Sequence, residues 1–156
     1  MTQNASEFGF SEQEWNVLFS TPVLAGLTVA HAHFSGPTGV REENRVLEKC
    51  FEEHPEDHAL IVRLKTAVLE SGLLDQKPSG KAGELKARTV EQLQQVRALL
   101  EHKTNSEAYR AYGDFLGKVM SRVAGAARDG DFFHAEPNKV SDTELVVISE
   151  LLKVLD

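Results

Sequence analysis

Serine or threonine followed three residues later by glutamate occurs at three well-separated places, Ser11–Glu14, Thr104–Glu107 and Ser141–Glu144. In a capping box of this kind, the hydroxyl and the carboxylate satisfy two backbone amides at the start of a helix. Each box precedes a segment in which apolar residues recur every three or four positions, whereas the alternation typical of strands is almost absent. The sequence therefore predicts an all-α protein.

Further signals divide the chain into about seven amphipathic helices that pack as a single-domain bundle. Thr21-Pro22 predicts the start of a second helix, with threonine as the N-cap and proline at the first helical position. His54-Pro55 breaks the chain, and a helix from Pro55 ends at Gly72, a favourable C-cap residue. The predicted inward faces comprise Trp15, Leu18 and Phe19; Leu24, Leu27 and Ala30; Val46, Leu47, Cys50 and Phe51; Leu60, Ile61, Leu64 and Val68; Leu85, Leu93, Val96 and Leu100; Tyr109, Tyr112, Leu116, Val119, Met120 and Val123; and Leu145, Ile148, Leu152 and Leu155.

Length and charge limit the domain organisation and the partners. A chain of 156 residues fits one domain, which we place at residues 11–156 after a flexible N-terminus, residues 1–10. The single cysteine, Cys50, cannot form an intramolecular disulfide, which is typical of a cytoplasmic protein. No apolar stretch is long enough to cross a membrane, and the formal net charge of −7 disfavours nucleic acid as a partner.

Two segments of the chain resemble each other. VAHAHFSG, residues 29–36, and VAGAARDG, residues 123–130, share Val, Ala, Ala and Gly at equivalent positions, and each ends an apolar helix before a glycine-containing loop. The pattern is explained either by an internal duplication of a helix–loop–helix unit or by a chance similarity of two alanine-rich helix ends.

The chain has, in this order, Trp15, Pro22, the Val-Ala helix end and Ser35-Gly36, followed by a loop before the last capping box. In this order it resembles a family of small uncharacterised all-helical bacterial proteins. Residues 123–144, a helix, an Asp-Gly loop and a Glu-containing helix, are also reminiscent of the TerB-like domains of tellurite resistance. In those domains duplicated acidic loops have been linked to metal binding, so the resemblance implies a cation site. Ser35 departs from the pattern, because an acidic residue is wanted there.

The segment DGDFFHAEP, residues 129–137, contains the four candidate metal ligands Asp129, Asp131, His134 and Glu136. Carboxylate oxygens are the ligands that hard cations prefer. The ligand alternation and the distal bidentate glutamate of an EF-hand loop are absent, and the two phenylalanines between the candidates favour a loop anchored in the core. A divalent-cation site here remains an alternative to that structural interpretation.

The other histidines and the cysteine favour structural roles. His31 and His33 are two residues apart, so on a helix they point in different directions and lie in its last turn, where a positive charge is favourable. His54 and His58 have the four-residue spacing of zinc ligands, but the proline between them places His58 in the first turn of a new helix and His54 outside it. Cys50 lies on an apolar stripe and is expected to be buried and unreactive.

These observations favour a non-catalytic helical protein that acts through protein–protein contacts or through self-association as a homodimer. The long helix predicted at residues 105–128 carries apolar residues on more than one side, which would suit a covered face. The alternative is a metal-binding helical protein or metal-dependent hydrolase, in which His31, His33 or His58 joins the ligands of residues 129–136.

Overall fold

The computed structural model describes residues 9–32, 45, 47–52, 58–75, 82–130 and 142–155. Its helices are α1 (Glu12–Ala32), α2 (Ala59–Ser71), a 3₁₀ turn (Leu73–Asp75), α3 (Ala82–Lys103), α4 (Ser106–Gly130) and α5 (Asp142–Leu155). Residues 47–52 are also helical, and no strand occurs in this described part of the chain. The all-α prediction is confirmed.

The predicted helix break at Thr21-Pro22 is wrong. Both residues lie inside the continuous helix α1, which extends from Glu12 to Ala32. A proline inside a helix has no N–H for the carbonyl four residues earlier, here that of Leu18, and its ring crowds that carbonyl. The helix continues because side chains from α1 itself and from two other helices bond to the groups around the proline.

The carbonyl oxygen of Leu18 accepts a hydrogen bond of 2.8 Å from the hydroxyl of Tyr112 in α4. At the preceding residue, the carbonyl oxygen of Val17 lies 2.5 Å from the hydroxyl of Thr21. The same hydroxyl lies 3.0 Å from Oε1 of Gln92 in α3. The single hydroxyl hydrogen of Thr21 can therefore be donated either to the carbonyl of Val17 or to Gln92. Tyr112 thus replaces the amide donor that the proline lacks.

Helix α1 lies at the centre of the bundle and contacts all four other α-helices. Every residue from Thr21 to Val29 except Leu24 is buried. Contacts from Glu14 to Lys103 and from Thr28 to Thr89 show that α1 and α3 run antiparallel. The buried core also contains Leu18, Leu47, Phe51, Leu60, Ile61, Leu64, Val68, Leu93, Val96, Leu100, Tyr112, Leu116, Val119, Met120, Val123, Leu151 and Leu155.

The helix ends agree with the sequence in most places. Ser11 and Glu14 form the predicted capping box, with amide-to-side-chain distances of 2.8 and 3.1 Å. Gly72 ends α2 with a φ of 72°, a left-handed conformation that suits glycine. The predicted start at Pro55 is wrong: α2 begins at Ala59, and His58, which the sequence places inside the first turn, is the N-cap. Its Nδ1 accepts the amide hydrogen of Leu60 at 3.1 Å.

The second predicted capping box is shifted by one residue. Asn105, and not Thr104, caps α4, since its Oδ1 accepts the amide hydrogen of Ala108 at 2.8 Å. The hydroxyl of Thr104 instead donates to the carbonyl oxygen of Leu100 at 2.6 Å and so caps the end of α3. The third box includes Ser141, which lies outside the described residues, although the helix that follows begins at Asp142 as expected.

The structure bounds six helices within the described residues, whereas the sequence predicts about seven. These six include the 3₁₀ turn, which the sequence does not predict, and leave out the helical residues 47–52. The first two predicted helices form one helix across Pro22. The duplication is not confirmed, since residues 33–36 of its first copy lie outside the described residues. Among the described helices, none is long and apolar enough to span a membrane.

Candidate functional site

The side chains of the four predicted metal ligands lie outside the described part of the structure, so the cation site stays a prediction. Asp129 lies in the last turn of α4, which continues through Gly130, whereas the sequence predicts that this helix ends at residue 128. The side chain of Asp129 and the whole of Asp131, His134 and Glu136 lie outside the described residues. Among the side chains that are described, no three from His, Cys, Asp and Glu form a group able to hold a metal ion.

The remaining candidates of the sequence occupy structural positions or lie outside the described residues. His58 caps α2 with its ring nitrogen. His31 belongs to the last turn of α1, but its side chain is not among the described ones. His33 and His54 lie outside the described residues. Cys50 is buried, as predicted for a core residue.

A buried hydroxyl pair joins α1 to α3. The Oγ1 atoms of Thr28 and Thr89 are 2.8 Å apart, and the two residues are 3% and 0% exposed. Each hydroxyl also lies within 2.8 Å of a carbonyl oxygen in its own helix, that of Leu24 or Leu85. One hydroxyl donates to its own helix while the other donates across the interface, so both are satisfied. The pair is a structural contact without access to solvent.

Lys65 is the one charged residue among the fully buried side chains of the described core, with 1% of its surface exposed. Its ammonium nitrogen lies 5.2 Å from the centroid of the Phe115 ring, within the range of a cation–π interaction. Phe115 in turn packs edge-on against Phe51, with ring centroids 5.6 Å apart. The lysine therefore stabilises the contact of α2 and α4 with the helical residues 47–52.

The described surface contains a groove at the two-residue turn between α3 and α4. We call it the turn groove. Its volume is about 480 Å³, within the size range of ligand-binding clefts. The last turn of α3 and the first turns of α4 supply its lining: Leu100, Glu101, Thr104, Asn105, Ser106, Tyr109 and Arg110.

Both helix ends at this groove are capped by its own lining residues. Thr104 closes α3 and Asn105 opens α4, as described above, so the turn between the helices needs only these two residues. Asn105 satisfies an amide of the first turn of α4, which has no partner within that helix. The hydroxyl of Thr104 adds a second bond to the carbonyl of Leu100, which also accepts the amide hydrogen of Thr104 at 3.1 Å.

The end of α5 is hydrogen-bonded to one lining residue of the groove and to the partner of another. The hydroxyl of Tyr109 donates a hydrogen bond to the carbonyl oxygen of Leu155, and Nη1 of Arg97 lies 3.4 Å from the carbonyl oxygen of Val154. Nε of Arg97 also lies 3.1 Å from a carboxylate oxygen of Glu101. The last carbonyls of α5 and one charge of the lining thus have partners within the protein.

The N-terminal end of α1 is attached next to the same turn. Nζ of Lys103, the last residue of α3, lies 2.6 Å from a carboxylate oxygen of Glu14 and 3.3 Å from the carbonyl oxygen of Gly9. These contacts with Lys103, together with the amide and hydroxyl of Ser11, lower the pKa of the Glu14 carboxyl below its usual value. Phe10 stacks on Trp15 with ring centroids 6.1 Å apart, which fixes the approach of the chain to α1.

The lining of the turn groove has hydroxyl, amide and guanidinium groups. It has one carboxylate, that of Glu101, which is paired with Arg97. Its chemistry therefore suits recognition by hydrogen bonds, charge and apolar contact. The sequence contained one signal for it, Thr104 and Asn105 between two long amphipathic patterns, which marks a tight helix–helix turn but not a groove.

Comparison with known proteins identifies no relative: no family model, no curated protein and no solved structure matches this chain. The geometry is therefore the basis for any functional interpretation.

Proposed function

We propose that this protein is a non-catalytic helical protein that acts through protein–protein contacts, and that the turn groove is its contact site. The observation that carries the proposal is the groove itself, a cleft of about 480 Å³ whose lining combines hydrogen-bonding groups with the ring of a half-buried tyrosine, Tyr109. A cleft of this size accepts one or two side chains of a polypeptide segment.

The supporting contacts favour a preformed site. Tyr109 is attached to α5 and Asn105 is engaged in capping α4, so these two walls do not need to be ordered when a partner binds. A site that is ordered before binding loses less conformational entropy on association. This is the property that a short peptide segment requires for measurable affinity.

Contact with a different protein is favoured over a homodimer through α4. Four apolar residues suggested a covered face on this helix. Three of them, Tyr112, Phe115 and Leu116, are at most 6% exposed because they contact the core of the same chain, and the fourth, Tyr109, is half-buried. Their pattern is therefore explained by packing within the chain. The residues of α4 therefore do not favour the predicted homodimer.

The proposal is tested by selecting random phage-displayed peptides against the whole protein and measuring the affinity of the selected peptides by fluorescence anisotropy. Ser106→Trp introduces an indole at the exposed edge of the groove and is expected to weaken binding by about tenfold, equivalent to ~1.4 kcal/mol. Ser121→Trp makes the same change at another exposed serine of α4, outside the groove, and is expected to leave the affinity unchanged.

Far-UV circular dichroism checks that both variants keep their helices. The proposal is refuted if no peptide is enriched, or if the selected peptides bind the Ser106→Trp variant as tightly as they bind the unmodified protein.

A further inference from the structure

The two charged residues in the lining of the turn groove are in different electrostatic situations. The carboxylate of Glu101 lies 3.1 Å from the guanidinium of Arg97, so its charge is compensated from within α3. Arg110 is exposed in α4 and forms no ion pair with another described residue. Glu101 therefore has an ion-pair partner among the described residues, whereas Arg110 has none.

Arg110 also has a suitable neighbour for an apolar group. Tyr109 precedes it in the sequence, is half-buried, and lines the same groove while its hydroxyl bonds to Leu155. The hydroxyl is therefore engaged with α5, and Tyr109 contributes part of the groove wall. A guanidinium binds a carboxylate through two parallel hydrogen bonds, and this geometry adds selectivity for carboxylates to simple charge attraction.

We infer that the turn groove binds an acidic peptide segment, in which a carboxylate pairs with Arg110 and an adjacent apolar side chain packs against Tyr109. The inference rests on the proposed function and adds the chemistry of the partner to it. Arg110 is then the residue that distinguishes an aspartate or glutamate in the partner from the corresponding amide.

The test uses two short fluorescent peptides with glycine and serine at their ends and leucine at their centre. They differ only in having aspartate or asparagine on either side of the leucine. The aspartate peptide is expected to bind the unmodified protein about fivefold more tightly than the asparagine peptide, which corresponds to ~1 kcal/mol for an exposed charge pair. This preference should decrease as the ionic strength rises from about 50 to about 500 mM, because salt screens exposed charges.

Arg110→Gln is expected to abolish the preference for aspartate while leaving the asparagine peptide unaffected. Lys118→Gln removes the same charge from an exposed position farther along α4, outside the groove, and should retain the preference. The matched control separates pairing with Arg110 from a general effect of net charge.

Equal binding of the two peptides, a preference that persists in the Arg110→Gln variant, or no binding of either peptide would overturn the inference. The failure of the inference is distinguishable from that of the proposed function. If both peptides bind equally and Ser106→Trp weakens both, the groove is a contact site without selectivity for acidic partners.

Discussion

Replacing Tyr112 by phenylalanine tests how a proline is accommodated in the middle of the central helix. The tyrosine hydroxyl donates to the carbonyl oxygen of Leu18 at 2.8 Å, and the amide that would otherwise serve this carbonyl is missing because residue 22 is proline. The variant keeps the ring, so its effect on stability reports on the hydroxyl alone. We expect it to destabilise the protein.

The magnitude follows from burial. Tyr112 is 0% exposed, so neither its hydroxyl nor the carbonyl of Leu18 can exchange this hydrogen bond for water. A buried carbonyl that loses its partner costs about 1–3 kcal/mol in the free energy of unfolding. Such a change is a large part of a typical total stability of about 5–15 kcal/mol.

A double-mutant cycle with Pro22→Ala isolates the compensation. Alanine restores an N–H at residue 22 that can donate to the carbonyl of Leu18, so the loss of the Tyr112 hydroxyl no longer leaves that carbonyl without a partner. The cost of Tyr112→Phe should then fall by about 1 kcal/mol, within the range of couplings between residues in contact. The separate effect of Pro22→Ala, which also removes a buried ring, cancels in the cycle.

The assay is urea unfolding of the four proteins, followed by far-UV circular dichroism and by the fluorescence of Trp15, the only tryptophan. Trp15 is 4% exposed and lies in α1, so it reports on the same helix. Coincidence of the two transitions justifies a two-state free energy. An equal cost of Tyr112→Phe in both backgrounds would refute the proposed compensation, since the carbonyl would then not depend on the tyrosine.

The same residue predicts a loss of stability at alkaline pH. Burial raises the pKa of the Tyr112 hydroxyl well above its usual value, and a hydrogen bond with Thr21 only partly opposes this. Above pH of about 10 the unfolded chain releases this proton while the folded protein retains it, so the free energy of unfolding falls as the pH rises. The difference in stability between the unmodified protein and Tyr112→Phe should therefore shrink above this pH, and a constant difference would contradict the assignment.

Two further predictions concern a close helix contact and an exposed ion pair. Gly26→Ala should be less favourable than Gly113→Ala by about 1 kcal/mol in urea unfolding, because the added Cβ would lie 2.8 Å from Cδ1 of Leu47, whose side chain must move. Gly113→Ala, whose Cβ would meet no atom within 4 Å, should instead stabilise α4 by about 0.5–1 kcal/mol, and equal effects at the two glycines would contradict this reasoning. Because the pKa of Glu14 is lowered chiefly by Lys103, its contribution is fully present above pH of about 4.5 and is lost at lower pH as the carboxylate is protonated. Stability measured against pH should therefore fall less steeply in acid for Glu14→Gln, and identical slopes would refute a role for the pair.

Local sequence determined the helices and most of the core. The apolar residues predicted to face inward in α2 and α3, such as Leu64 and Val96, are buried, because the period of 3.6 residues sets one face of a helix before any packing is known. The capping box at Ser11–Glu14 and the C-cap at Gly72 are likewise confirmed, since each depends on atoms only a few residues apart.

The turn between α3 and α4 shows where local signals are ambiguous. Thr104 and Asn105 are both good N-cap residues, and the glutamate three positions after the threonine favoured the wrong one. The choice depends on where α3 ends. The hydroxyl of Thr104 bonds to the last turn of that helix, so it does not cap the next one.

Tertiary structure alone decided the course of α1 and the position of the turn groove. Thr21-Pro22 has the local pattern of a helix start, and only Tyr112, which is 94 residues away from Leu18 in the chain, supplies the donor that lets the helix continue. In the same way, one lining residue of the groove, Tyr109, is held by α5, because its hydroxyl donates to the carbonyl oxygen of Leu155, 46 residues away. Short-range patterns set which segments are helical because their hydrogen bonds are local, whereas a bond between distant residues exists only after the helices have packed.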